Sequence, residues 1–231
     1  MSVLAPATAA RSAVVPHAAV AGTIDVGTLT LERCDVLDGA YCGTLRRPWD
    51  PTGAVPGTFD VGFAYVPAND QTRPALGTVV PHEGGPGYST TGTADSYAAM
   101  YGALLERRNL LLVDQRGTGL TAPIDCPALQ DGLLEYGRAA AACAKSLGGR
   151  AHLYGSALSA DDLGAVVVAL GLGRVDVYGD SYGTFFAQVF AGRHPEQVRT
   201  LVLDSAYPTY GEDAWYETQS LAMRQSFNRV C

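Results

Sequence analysis

The sequence predicts an α/β fold, a mostly parallel sheet flanked by helices and incomplete at its C-terminus. Three observations carry this. A continuous apolar run at Asn109–Asp114 is of the kind buried on both faces of a parallel sheet, and Val198–Leu203 reads as a further buried strand. Strand and helix patterns alternate through the second half of the chain. Gly179-Asp180-Ser181-Tyr182-Gly183 lies between a short apolar strand and a helical run.

The elements follow in order. Thr23–Glu32 alternates partly, Ala40–Arg46 carries Tyr, Cys and Thr, and Phe59–Val66 has β character. They read as an antiparallel opening, with Pro48, Pro51, Pro56 and Pro67 marking the turns. Leu76–Pro81 is the next strand and breaks at His82-Glu83-Gly84-Gly85-Pro86-Gly87. Thr93–Arg107 predicts a helix, Asn109–Asp114 a buried strand, and the Gly- and Pro-rich Arg116–Pro127 a loop. Leu129–Leu147 is helical in composition. Ser159-Ala-Asp-Asp162 is read as an N-cap with acids in the first turn of another helix, closed by Gly171 and Gly173. Gly192 and Pro195 end the helix that follows Ser181, and Val198–Leu203 is the last strand. This divides the chain into a leader or weak signal peptide (1–22), a core (23–210) and the start of a helical cap (211–231), an amphipathic run containing Trp215, Tyr216 and Phe227.

Composition narrows the class. Apolar residues make up 47% of the 231 and charged residues 17%, as in a globular rather than a disordered chain. The net charge is −7 with no basic cluster, which argues against nucleic acid as a partner. The longest apolar stretch, Leu163–Leu172, is too short for a membrane span. Five cysteines suggest an oxidising compartment, with Cys34 pairing Cys42, Cys126 pairing Cys143, and Cys231 left over. Five buried free thiols are the alternative. Arg11, the apolar Ser12–Ala21 and its Ala19-Val20-Ala21 ending form a weak signal-peptide pattern, interrupted by Pro16 and His17.

The chemistry centres on Ser181. A G-x-S-x-G sequence between strand and helix is a nucleophile elbow. Its serine sits on a sharp turn at a helix N-terminus, where free N–H groups stabilise a developing oxyanion. Gly179 and Gly183 leave room because they lack Cβ. In folds with this motif one oxyanion donor is the residue after the nucleophile, and the other comes from an earlier strand-end loop. Tyr182 supplies the first here, and Gly84 or Gly85 the second. No metal-ligand or phosphate-loop spacing is present, and the chemistry calls for no cofactor. Arg116 is expected to form a structural ion pair that shapes the loops near the site, with Asp114 beside it.

Gly84-Gly85-Pro86-Gly87, Asp114-Gln115-Arg116-Gly117-Thr118-Gly119 and Gly179-Asp180-Ser181-Tyr182-Gly183-Thr184 together resemble the motif series of the prolyl iminopeptidase family of serine peptidases. The similarity is greatest to its secreted tripeptidyl aminopeptidase-like branch. Cys42-Gly43-Thr44-Leu45 with Pro48, and Val202-Leu203-Asp204, also fit, so the resemblance spans roughly residues 30–231. It implies an α/β-hydrolase core with a helical cap, acting on peptide N-termini or on small esters and amides. Glu83 departs from the His-Gly-Gly-Pro-Gly form of many relatives. The resemblance places the catalytic Asp and His beyond the cap, in a C-terminal segment needed to complete the fold. Within the chain, His194 falls at the far end of the elbow helix, His82 approaches from the wrong side, His152 precedes a helix and His17 is in the leader. Asp204, without a histidine to orient, is read as structural. The sequence therefore suggests a secreted or cell-envelope-associated serine aminopeptidase whose residues 1–231 are inactive alone. An esterase on the same scaffold and a catalytically inactive truncated product remain as alternatives.

Overall fold

A computed structural model describes residues 22–130, 135–210 and 219–230. Of the expected leader only Gly22 falls inside these limits. Residues 211–218 of the expected cap, with Trp215 and Tyr216, and Cys231, the cysteine expected to be left over, fall outside them.

The chain opens as antiparallel ribbon. β1 (Thr23–Val26) and β2 (Leu29–Arg33) form a tight hairpin, where the sequence suggested one strand. The turn residue Thr28 donates its N–H to Ala169 O at 2.8 Å, so the hairpin tip is fastened to a helix far along the chain. β3 (Tyr41–Pro48) and β4 (Thr58–Val66) continue the meander. β5 (Thr78–His82), β6 (Asn109–Val113), β7 (Val175–Asp180) and β8 (Val198–Asp204) complete one eight-stranded sheet, in the order β1-β2-β3-β4-β6-β5-β7-β8. Pairing is antiparallel from β1 through β4 to β6, and parallel from β6 through β5 and β7 to β8.

The helices are α1 (Ala94–Tyr101), α2 (Pro127–Gln130), α3 (Tyr136–Leu147), α4 (Ser156–Ala169), α5 (Tyr182–Arg193) and α6 (Gln219–Val230). Three differ from expectation. The helix expected over Thr93–Arg107 turns into a 3-10 segment at Gly102, whose φ of 43° ends regular α geometry. The run Leu129–Leu147 is two helices rather than one. α4 starts at Ser156 with Gly155 as its N-cap, so Ser159 lies buried inside the helix instead of capping it. The reason is tertiary: Asp161 and Asp162 pair with arginines rather than with the helix N-terminus.

Alternation along the central strands builds a core on each face of the sheet. Phe63, Tyr65 and Leu111 join Leu163, Val166, Phe186 and Phe190 on the α4–α5 face. Ala64, Val66, Leu110 and Leu112 pack with Tyr97 and Tyr101 on the α1 face. Residues 61–66 of β4 and 110–113 of β6 are thus buried on both sides, whereas β8, expected from the sequence to be buried, is largely exposed, with Val202 54% exposed, because it is the outermost strand of the sheet among the described residues. Cys34 is bonded to Cys42 between β2 and β3, and Cys126 to Cys143 between the start of α2 and α3. No helix among the described residues is long and apolar enough to cross a membrane.

Arg116, 5% exposed, joins the layers. Its guanidinium pairs with Asp162 of α4 at 2.5 Å, donates to Trp49 O at 2.6 Å and Leu153 O at 3.2 Å, and lies over the Phe59 ring at 4.8 Å. Arg47 reaches the same carboxylate at 3.1 Å. Removing one member of a buried pair strands the other charge. Arg116→Met is expected to lower unfolding stability by about 3 kcal/mol, the low end of the usual range because Arg47 remains on Asp162. Urea denaturation of the two proteins measures it as a shift in midpoint.

Candidate active site

Parallel strands bring their carboxyl ends to one edge, where ligands bind in open α/β sheets. His82 at the end of β5 is in register with Gly179 of β7, and Asp180 with Asp204 of β8. The loops after β5, β6, β7 and β8 therefore meet.

Ser181 occupies the junction of β7 and α5 with φ 48° and ψ −122°. A non-glycine residue in that region costs of order 1–3 kcal/mol and persists only where its surroundings hold it. They do so here. Ser181 N–H donates to Asp204 O at 3.0 Å, and Thr184 donates to Ser181 O through both its N–H, at 3.0 Å, and its hydroxyl, at 2.6 Å. The turn is also tight. A Cβ on Gly179 would stand 2.2 Å from Gly183 O, and one on Gly183 only 2.1 Å from His82 O.

The Gly84–Gly85 loop lies against this turn. A Cβ on Gly84 would meet Asp180 Oδ2 at 2.8 Å and Ser181 Cβ at 3.0 Å. Tyr182 is the first residue of α5, so its N–H has no acceptor within the helix. Gly84 N–H donates to Glu83 Oε1 at 3.2 Å. Glu83 thus occupies one of the two proposed loop donors, and Gly85 has a φ of 43°. Glu83 Oε2 accepts from Thr93 Oγ1 at 2.5 Å, which ties the loop to the start of α1.

Two carboxylates line the base of the turn. Asp180 accepts from Tyr97 OH at 3.1 Å. Burial, and then the nearby Glu83 charge, hold the Asp180 carboxyl above the ordinary carboxylate range. The same burial and charges push the Tyr97 phenol upward.

Asp114 braces the segment that follows the glycine loop. Its Oδ1 accepts from Thr91 N–H at 3.0 Å and Ser89 Oγ at 3.1 Å, and its Oδ2 from Thr91 Oγ1 at 2.5 Å and Leu120 N–H at 2.7 Å. Arg116 points the other way, into the α4 contact described above. Tyr182 is steadied by a 2.7 Å hydrogen bond between its hydroxyl and Ser156 Oγ, and its hydroxyl also reaches Gln115 Oε1 at 3.4 Å.

Among the described residues, no histidine or carboxylate hydrogen-bonds to the Ser181 hydroxyl. His194 contacts Asp161 at 3.1 Å between α5 and α4. His152 is exposed. His82 is buried and stacked on Phe186 at 3.6 Å between centroids. Burial pulls its pKa down to about 3, so it is neutral in the fold. Asp204 accepts from Tyr178 OH at 3.2 Å. No group of three or more His, Cys, Asp or Glu suited to a metal ion occurs among the described residues.

The group that does meet the Ser181 hydroxyl is Tyr207 OH, at 3.4 Å. Sequence reasoning passed over it. The available signal was its place three residues beyond the last strand, at the edge where such sites form.

Residues 77–230 match the model of the α/β hydrolase fold family, and the chain belongs to that family. It is 30% identical over 194 residues to the serine protease Hip1 of Mycobacterium tuberculosis, and equally to that of Mycobacterium bovis. The match covers 73% of this chain and 36% of the relative, so the chain spans little more than a third of the length of these curated relatives. A Salmonella enterica protein described as an acyltransferase shares the fold, with a TM-score of 0.51 and 18% identity over 84% of this chain and 51% of that one.

Two outcomes follow from the geometry. Gly183→Ala drives a methyl into the His82 carbonyl and is expected to lose about 2 kcal/mol or more of stability, read by thermal and urea unfolding. His82 gives a pH signature. Its pKa in the fold lies below the unfolded value of about 6.5, so its contribution is complete above that pH and is lost progressively as pH falls toward 3. Between pH 6.5 and 4.5 wild type should lose about 1 kcal/mol per pH unit more than His82→Phe. Parallel curves in paired denaturation series would contradict a neutral buried His82.

Proposed function

We propose that this chain carries the nucleophile and oxyanion hole of a secreted serine hydrolase, an aminopeptidase acting on peptide N-termini. Ser181 is the nucleophile, with Tyr182 N–H and the Gly84–Gly85 loop, chiefly Gly85, as oxyanion donors. The observation that carries this reading is Ser181 held at φ 48° between strand and helix, with the glycine loop pressed against it. A serine hydroxyl in that position attacks a carbonyl carbon while the negative oxygen settles between the two N–H groups. Asp114 and Arg116 act structurally, one on the segment that follows the glycine loop and the other on the α4 contact.

The similarity to a serine protease supports peptide substrates. The three prolyl iminopeptidase-like motifs support attack at a free N-terminus, with small esters or amides as the alternative on the same scaffold. The two disulfides support an oxidising compartment and hence secretion. In this proposal residues 1–22 are a leader, 23–210 belong to the core and 211–231 begin the cap. The acid and base of the triad come from sequence beyond Cys231. The absence of any histidine on the Ser181 hydroxyl among the described residues agrees with that assignment.

Residues 1–231 alone should then turn over peptides hardly at all, retaining on the order of 10³-fold catalysis over water from the oxyanion hole. Joined to a downstream segment that supplies Asp and His, Ser181 should react with a fluorophosphonate, and Ser181→Ala should abolish the adduct. Comparing aminoacyl amides with free and acetylated N-termini distinguishes the aminopeptidase from the esterase. Efficient turnover by 1–231 that Ser181→Ala abolishes would overturn the placing of the acid and base beyond Cys231, and turnover that survives the substitution would overturn Ser181 as nucleophile.

A further inference from the structure

The segment after β8 is bound to the elbow helix by more than chain continuity. Tyr207 N–H donates to Thr184 Oγ1 at 2.9 Å, and Gln188 Nε2 donates to Tyr207 O at 2.6 Å. Thr184 is fully buried, and its hydroxyl also donates to Ser181 O at 2.6 Å. One hydroxyl therefore links the backbone of Ser181 to the backbone of Tyr207. Ser205, with φ 63°, makes the bend that turns the chain back from the strand toward α5. The consequence is that the phenol meets Ser181 Oγ at 3.4 Å.

We propose that Tyr207 is a positioning residue for Ser181, its hydroxyl donating a hydrogen bond to Oγ. The inference rests on the nucleophile reading of Ser181. A serine side chain has three staggered rotamers, and at an open strand–helix turn nothing in its own chemistry selects one. A phenol O–H on one side of Oγ selects the rotamer and occupies one oxygen lone pair. The proton of Ser181 stays free to point toward a base. The same donor steadies Oγ as negative charge gathers on it. Tyr207 can do this because both of its main-chain polar groups are held by α5, so ring and nucleophile ride on one rigid element. Its placement thus couples the end of β8 to the elbow through Thr184 and Gln188.

The test compares Tyr207→Phe, which keeps the ring and both main-chain bonds, with wild type, each joined to the downstream segment that supplies Asp and His. Phosphonylation by a fluorophosphonate forms the Oγ–P bond and breaks P–F, the serine proton leaving with fluoride. Followed by intact mass over a range of probe concentrations, Tyr207→Phe should slow the first-order step about fivefold, the worth of one ordinary hydrogen bond. Probe affinity and melting temperature should be unchanged. A first-order rate equal to wild type, or a change confined to probe affinity, overturns the proposal and leaves Ser181 as nucleophile. If wild type forms no Ser181 adduct at all, the functional reading fails, and a second measurement still decides this one. In protein labelled with ¹³Cζ-tyrosine, the Tyr207 resonance, assigned by its loss in Tyr207→Phe, should move on Ser181→Ala. A resonance that stays in place means the hydroxyls do not interact.

Discussion

The Arg116 guanidinium is the contact on which the other layers depend. It leaves β6 and enters a pocket built from the end of β3, the residues before α4, and α4 itself, where it meets Asp162, Trp49 O and Leu153 O. Burying a cation is unfavourable unless every donor finds an acceptor, and this one is surrounded by a carboxylate, main-chain carbonyls and the face of Phe59. Such a pair adds little net stability over an apolar replacement. What it supplies is position, since four separated pieces of chain must agree in register for the charge to be satisfied. Two residues earlier, Asp114 does the same on the other side of the loop, holding Ser89, Thr91 and Leu120 together. One short loop after β6 thereby braces both the helical layer and the segment that follows the glycine loop.

Ser181 is the strained point that this bracing makes affordable. Its backbone lies in a region that a side chain disfavours, and no single partner holds it there. Asp204 takes its N–H, Thr184 takes its C=O, and the glycines on either side allow β5, β7 and α5 to approach within contact. Relaxing the serine would require moving the end of β8, the first turn of α5 and the His82 carbonyl together. Electrostatics at the turn run in a different direction. Glu83 and Asp180 crowd carboxylates beneath it, and Asp180 titrates upward as a result. The negative charge lies behind the turn, engaged with Tyr97, Thr93 and Gly84 N–H. Tyr182 N–H and Gly85 remain in front.

Local chemistry made much of this legible. A continuous apolar run marked β6, shorter β-type stretches marked β4, β7 and β8, and the alternation of strand and helix marked the α/β class that the family match bears out. The elbow was readable because glycine at 179 and 183 and serine at 181 answer to a local backbone geometry. Neighbouring cysteines in short loops suggested the bonds now seen at Cys34–Cys42 and Cys126–Cys143. The misplaced start of α4 has a tertiary cause. Ser159-Ala-Asp-Asp162 has the composition of a helix start, yet Asp162 belongs to Arg116, 46 residues away, and Asp161 to Arg193, 32 residues away.

By itself, then, the sequence determined where strands and helices fall and which residue sits at the sharp turn, because those depend on periodicity and on the few residues that surround each position. Tertiary structure alone decided what each polar side chain does. Only the parallel register of β5 and β7 brings the Gly84 loop against Asp180 and Ser181, and only the bend after β8 carries Tyr207 to Ser181. A hydrogen bond is made between groups within about 3 Å in space, and for residues so far apart in the chain, separation along the sequence holds no information about that distance.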